Sequence, residues 1–146
     1  MTGMNFGRLF FDRKAITRRV DKATRRVLSR FGAFVRNTAR KSIRRRKRPA
    51  EPGQPPSSHT GLLRRFIFFG YDPAPGRQSV VIGPERLTRR GRGEAPPLLE
   101  YGGSQRMKGR KGQPVRTTYQ PRPFMAPAFQ KELPNLPPLW RDSVKK

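Results

Sequence analysis

Apolar residues recur every three or four positions along the first third of the chain. Between residues 13 and 47 the successive spacings begin four, three, four, four and three. This is the period of one face of an α-helix. The positions that form the stripe are Ile16, Val20, Ala23, Val27, Phe31, Phe34, Val35, Ala39 and Ile43. The pattern therefore predicts one long helix over residues 13–47.

Both ends of this helix carry terminal signals. Asp12 is placed to cap the first turn, with its carboxylate at the positive end of the helix dipole. The cations of residues 44–48 stand at the negative end, and Pro49 disfavours helical geometry at Arg48. All 16 prolines follow residue 48, so only the first part of the chain suits a long helix.

After residue 48 the pattern changes to short segments separated by proline and glycine. Residues 49–60 read as a Pro-rich connector that leads into a short helical turn at 61–65. Residues 66–71 and 79–83 read as strands, and the turn residues 72–76 between them predict an antiparallel hairpin.

The remainder predicts a third strand and more helix. A short helix over 96–101 is followed by Gly102, which suits a left-handed C-cap. Residues 115–119 form a candidate third strand. A C-terminal helix begins at Ala126 or Pro127, with a last turn over 139–144.

These elements predict an α+β fold. A long basic N-terminal helix packs on a small antiparallel sheet, with a C-terminal helix and mobile Pro/Gly-rich loops at 49–59, 86–94 and 103–113. We expect a single domain over 1–146, whose last part, 135–146, is a tail that follows the sheet and short helices of 61–134. The expected core residues are Phe31, Val35, Leu63, Phe66, Phe68, Val81, Leu99, Phe124 and Phe129.

Charge changes this picture, because the chain carries 34 Lys and Arg against 9 Asp and Glu, a net charge of +25. Residues 13–48 hold 16 of these cations and a single acid, Asp21. Pairs such as Arg18 and Lys22 place like charges one helical turn apart, which costs about 0.2–0.5 kcal/mol each. We therefore expect a counter-charged partner: nucleic acid, an anionic membrane or an acidic protein surface.

Several classes of function are excluded by composition. The chain has no cysteine and one histidine, His59, so thiol chemistry and clustered Cys or His metal sites have no basis. The acids form no paired-carboxylate motif, and no phosphate-binding glycine loop is present. Residues 1–11 lack the pattern of a signal peptide, and the sequence contains no apolar run of membrane-spanning length. We expect a soluble, non-secreted protein that is not an enzyme and uses no cofactor.

A series of short segments in fixed order resembles the tail-component family of long-tailed bacteriophages, which are small tail-completion or neck proteins. The resemblance spans residues 12 to 134. The segments that carry it are TARKS (38–42), TGLLR (60–64), FIF (66–68), VVIGP (80–84), LEYGG (99–103) and RPFM (122–125).

The resemblance implies a structural virion protein with no catalytic residues. It implies a homo-oligomeric ring at the head–tail junction or the top of the tail, assembled in the host bacterial cytoplasm. The implied partners are the head-side adaptor and the tail terminator or tube. The alternative that the charge leaves open is a basic, non-specific nucleic-acid-binding module.

A DNA conduit limits how many cations can touch DNA, because about 16 phosphate contacts per subunit would hold the passing duplex too tightly. We therefore assign the first half of the helix to a partner ring, through Arg18, Arg19, Lys22 and Arg25. The candidate DNA contacts are Arg44, Arg45, Arg46, Lys47, Arg106, Lys108, Arg110 and Lys111.

Overall fold

The computed structural model describes residues 12–85, 95–109, 112–141 and 143–144. They form a mixed α+β fold with a long N-terminal helix and a helical C-terminal part, as the sequence predicts. Two small antiparallel sheets take the place of the one that was expected. The elements are α1 (Arg13–Ser42), α2 (Leu62–Arg65), β1 (Ile67–Asp72), β2 (Ser79–Pro84), α3 (Ala95–Tyr101), β3 (Gly103–Lys108), β4 (Pro114–Tyr119), α4 (Met125–Glu132), a 3-10 turn (Leu133–Asn135) and α5 (Leu136–Arg141).

The start of α1 is as predicted, but its end is not. The Asp12 carboxylate accepts a hydrogen bond from the Ala15 amide at 3.0 Å, which confirms the cap. The helix ends at Ser42 rather than at residue 47. Ile43 is extended and only 1 % exposed, and Arg44 pairs with Ser57 of the returning connector. Burial of Ile43 therefore outweighs continuation of a helix whose next residues are all cations.

The predicted hairpin is confirmed, with β1 and β2 antiparallel in a register that runs from Ile67 opposite Pro84 to Asp72 opposite Ser79. It packs on α1 at Gly32. A Cβ built on Gly32 would lie 2.8 Å from the Val80 Cγ2 atom and 2.9 Å from the Phe69 Cδ2 atom. A glycine in the middle of a helix lowers helix propensity, and here it lets the sheet approach the helix closely.

The face of β1 that packs inward is the opposite of the one predicted. Phe68 is 45 % exposed and Val81 is 67 % exposed, so both core assignments were wrong. Phe66 is only half-buried. Side chains alternate along a strand, and the side that carries Ile67 and Phe69 is the one that faces α1.

The core is a single cluster that joins α1, α2, β1 and α4. Its buried members are Phe31, Val35, Ala39, Ile43, Leu63, Ile67, Phe124 and Ala128. Four predicted core residues, Phe31, Val35, Leu63 and Phe124, are thereby confirmed, and Leu99 is partly buried against the cluster. Phe129 is 43 % exposed, although its ring meets that of Phe31 edge-on with centroids 5.7 Å apart.

A second hairpin replaces part of a predicted mobile loop. Residues 103–108 form β3, paired with β4 from Gly103 opposite Tyr119 to Lys108 opposite Pro114. The predicted third strand therefore exists, but it belongs to a separate two-stranded sheet. Both strands are polar and lack an apolar alternation, so the sequence signal for β3 was absent. The predicted loop at 86–94 lies outside the described residues.

The C-terminal part is more helical than its prolines indicated. The helix α4 begins one residue before the earlier of the two predicted starts and continues through the 3-10 turn into α5. The last turn was predicted over 139–144, three residues later than α5. Pro137 and Pro138 occupy the first turn of α5, where an amide hydrogen is not needed.

One polar contact joins α4 to α1. The Thr38 hydroxyl donates a 2.5 Å hydrogen bond to Oε1 of Glu132. This bond is the main cause that lowers the pKa of Glu132 below its usual value. Glu132 is therefore a charged acceptor near neutral pH, and it offsets part of the positive charge of Lys41 nearby.

Candidate partner and nucleic-acid interfaces

The first turns of α1 form an exposed surface with two kinds of side chain. Every residue from 12 to 22 is exposed, a stretch named here the exposed segment. Ile16 and Val20 are each 43 % exposed. They continue the stripe that is buried further along the helix at Ala23 and Val27. Helix geometry places Arg18 and Lys22 on the opposite side of this segment.

The four predicted partner-ring residues are not equivalent. Arg18, Arg19 and Lys22 lie in the exposed segment. Arg25 contacts its own fold, because its guanidinium carbon lies 5.9 Å from the ring centroid of Tyr71 on β1. One turn earlier, the Asp21 carboxylate accepts a hydrogen bond from the Gln78 amide beside β2. The hairpin thus supports α1 at the end of the exposed segment and one turn beyond it.

The cations that follow α1 belong to a loop closed at both ends. Residues 43–58, named here the basic loop, carry the four candidate DNA contacts Arg44, Arg45, Arg46 and Lys47, all exposed. Arg44 and Ser57 form a parallel bridge. The Ser58 amide donates to the Arg44 carbonyl at 3.0 Å. Tertiary contacts therefore fix where this loop begins and ends.

The middle of the basic loop is also held. The Arg122 Nε donates to the Ala50 carbonyl at 2.7 Å. The Gly53 amide donates to the Pro121 carbonyl at 2.8 Å. Ala50 and Pro56 are buried. The segment 49–59, predicted to be mobile, is thus tied to the body of the protein near its end and at its centre.

The second hairpin carries a further basic surface. Arg106 and Lys108 are exposed on β3, whereas Arg110 and Lys111 lie outside the described residues. Arg106 is directly opposite Arg116 of β4. Side chains opposite one another share a face, and like charges there are destabilising. An anion between the two guanidinium groups would relieve this repulsion. Sequence reasoning missed Arg116, because its importance depends on the strand register.

Two of the segments that carry the family resemblance meet at the start of α4. The Glu100 carboxylate accepts hydrogen bonds from three backbone amides: Phe124 at 2.9 Å, Met125 at 3.0 Å and Ala126 at 2.8 Å. These are amides that the first turn of a helix leaves without an internal partner. Glu100 therefore caps α4 from a distant segment, a role no local sequence signal indicates.

The same junction also holds the segment that joins β4 to α4. The Arg122 amide donates to the Leu99 carbonyl at 2.6 Å. Gly102 ends α3 with φ +74°, which confirms the predicted left-handed C-cap. A Cβ on this glycine would lie 3.0 Å from the Tyr119 carbonyl oxygen. The junction is thus a structural joint between α3, β4 and α4.

Replacing Glu100 by alanine should destabilise the fold. The three amides lose their charged acceptor, and we expect the free energy of unfolding to fall by about 2–3 kcal/mol. Glu51→Ala is the matched control, since that side chain is exposed, and its effect should stay within about 0.5 kcal/mol. Urea unfolding measured by circular dichroism compares the two. Equal effects would contradict the capping role.

The single histidine of the chain lies at the surface. His59 is exposed beside the buried Ser58. Within the described ranges, no group of three or more His, Cys, Asp or Glu side chains is arranged to hold a metal ion. No helix in that part of the chain has the length and apolarity needed to cross a membrane. No protein-family model, curated protein or solved structure matches the chain.

Proposed function

We propose that this chain is a structural virion protein of a tailed bacteriophage. In this proposal it is a neck or tail-completion subunit that assembles as a homo-oligomeric ring at the head–tail junction. The ring links the head-side adaptor to the tail terminator or tube, and it is assembled in the host bacterial cytoplasm. The role is mechanical and requires no catalysis.

The observation that best supports the proposal is how the segments of the resemblance are used. Residues 80–84 lie in the strand that pairs with the strand containing Phe68. Residues 99–103 and 122–125 meet through the Glu100 carboxylate. In each case the segment contributes to a packing or capping contact. This is the expected use of such segments in a subunit whose role is to hold a shape.

The exposed segment of α1 supports the assembly role. Its partly exposed Ile16 and Val20 offer apolar contact, and Arg18, Arg19 and Lys22 offer charge. The positive charge of the whole chain disfavours an isolated subunit. We assign this helix, through Arg18, Arg19, Lys22 and Arg25, to an acidic surface on a neighbouring ring.

One observation favours the second candidate, a non-specific nucleic-acid-binding module. The basic loop and the pair formed by Arg106 and Arg116 are exposed cation clusters suited to phosphates. Contacts to phosphates position a protein but read no sequence. This second candidate would need no protein partner.

Co-expression distinguishes the two candidates. The chain is produced with the adaptor and tail proteins encoded beside it, treated with nuclease and separated by size-exclusion chromatography. The proposal predicts nuclease-resistant complexes that contain these proteins and appear as rings by negative-stain electron microscopy. Complexes that contain only nucleic acid, and that disperse on nuclease treatment, would contradict it and support the second candidate.

A further inference from the structure

The basic loop and the end of α1 line an open cavity of about 540 Å³. This volume lies within the roughly 300–1,000 Å³ that ligand sites in proteins occupy. Four cationic side chains line it against one carboxylate, that of Glu51. The cations are Lys41, Arg44, Arg46 and Arg48. The cavity is therefore strongly positive.

The three arginines of the cavity are available to a ligand. Within the described part of the chain, the side chains of Arg44, Arg46 and Arg48 have no hydrogen-bond or ion-pair partner. A guanidinium group presents a fork of donors that matches the oxygens of a phosphate. Uncompensated cations around one concavity repel each other, and a bound polyanion would relieve that repulsion.

Alternate residues of the basic loop face the cavity. Arg44, Arg46 and Arg48 line it, and Arg44 is in an extended, bridged conformation. Arg45 and Lys47 are exposed on the same run but do not line the cavity. The same five-residue run thus gives one set of cations to the cavity and a second set, named here the rim, that does not line it.

Contacts within the fold hold the wall of the cavity. Its wall is held by the bridge between Arg44 and Ser57 and by the bond from Arg122 to Ala50. A site fixed in this way avoids much of the ordering cost of binding. Arg122 acts here as a positioning residue, because its guanidinium holds the loop backbone.

We propose that this cavity binds the phosphodiester backbone of DNA. Successive phosphates of a DNA strand carry negative charges at close, regular spacing, so a short stretch of backbone can offer several anionic groups to Arg44, Arg46 and Arg48 at once. The inference rests on the proposed function, since it names the surface that meets DNA passing through the neck. It also narrows the candidate DNA contacts of the basic loop to the cations that line this cavity.

Two double variants of equal charge test the site. Arg44→Gln with Arg46→Gln changes the cavity, and Arg45→Gln with Lys47→Gln changes the rim by the same two charges. Fluorescence anisotropy with a labelled DNA duplex is measured at several salt concentrations. We expect the cavity variant to bind about tenfold more weakly, and the rim variant less than about threefold.

The salt dependence gives a second readout of the same variants. Each phosphate contact contributes about 0.9 to the slope of log affinity against log salt. For the cavity variant, the magnitude of this slope should therefore fall by nearly the contribution of two phosphate contacts. For the rim variant it should fall by clearly less. Equal losses of affinity and slope in both variants would overturn the inference.

A measurement on the unaltered chain covers the case in which the cavity variant fails to fold. Backbone amide shifts are recorded by NMR during titration with a short oligonucleotide, and separately with poly-glutamate. The inference predicts oligonucleotide shifts concentrated in residues 41–55. Shifts located elsewhere, or stronger binding of poly-glutamate at these residues, would overturn it.

These results separate the inference from the proposed function. A chain that binds DNA through the cavity but never joins adaptor or tail proteins would retain the site and refute the neck role. A chain that joins them, yet whose DNA affinity responds equally to both variants, would refute the cavity site alone.

Discussion

Ile67→Ala should lower the free energy of unfolding by about 2–5 kcal/mol, as is usual for truncation of a fully buried aliphatic side chain. Ile67 is 0 % exposed and belongs to the cluster that joins β1 to α1 and α4. Its carbonyl also accepts a 2.9 Å hydrogen bond from Arg36 Nε of α1. The loss would be measured by urea unfolding followed by far-ultraviolet circular dichroism.

The adjacent residue provides the control. Phe68 is 45 % exposed, and its ring meets that of Phe66 edge-on with centroids 6.2 Å apart. Phe68→Ala should therefore cost only about 1 kcal/mol, the scale of such an aromatic pair. A larger loss at Phe68 than at Ile67 would show that β1 packs on α1 with its other face.

Reversal of Arg18, Arg19, Lys22 and Arg25 to glutamate should abolish attachment to the neighbouring ring. Three of the four side chains lie in the exposed segment of α1, and Arg25 contributes one cation–π contact to its own fold. Loss of that contact costs about 0.5–1 kcal/mol, so the variant should still fold. Attachment is measured by recovery of the variant in assembled particles, and DNA affinity by fluorescence anisotropy.

A matched control reverses four exposed cations elsewhere, namely Arg64, Arg65, Arg77 and Lys131. It carries the same change in net charge and should still attach. DNA affinity should fall to a similar, limited extent in both variants, because neither touches the basic loop. If the α1 reversals abolished DNA binding while tailed virions still assembled, the assignment of this helix to a partner ring would be wrong.

The sequence predicted α1 well, because a helical stripe and a capping aspartate are local signals. It did not predict where the helix ends. Ile43 adopts an extended conformation and is buried against residues that are distant in the sequence, and no local pattern shows those contacts. The same limit applied to β1. Alternation shows that one face is buried, but Phe66 and Phe68 looked as apolar as Ile67 and Phe69, and only the contact at Gly32 decides between them.

For the candidate surfaces too, the sequence showed local features but not those that depend on tertiary contacts. The run from Arg44 to Lys47 was recognisable as basic, but which of its cations line a cavity depends on the path of the whole loop back to Ser57. The roles of Glu100 and Arg122 were hidden, because each binds backbone atoms more than 20 residues away in the chain. Arg116 became relevant only when β3 paired with β4.

Disruption of the gene in a producing phage tests the proposed neck role most directly. Particles from the lysate are counted by negative-stain electron microscopy, with a plasmid copy of the gene as the complementation control. The neck role predicts that DNA-filled heads and separate tails accumulate unjoined, and that the plasmid copy restores joined virions. Normal numbers of joined, infectious virions in the absence of the protein would contradict it.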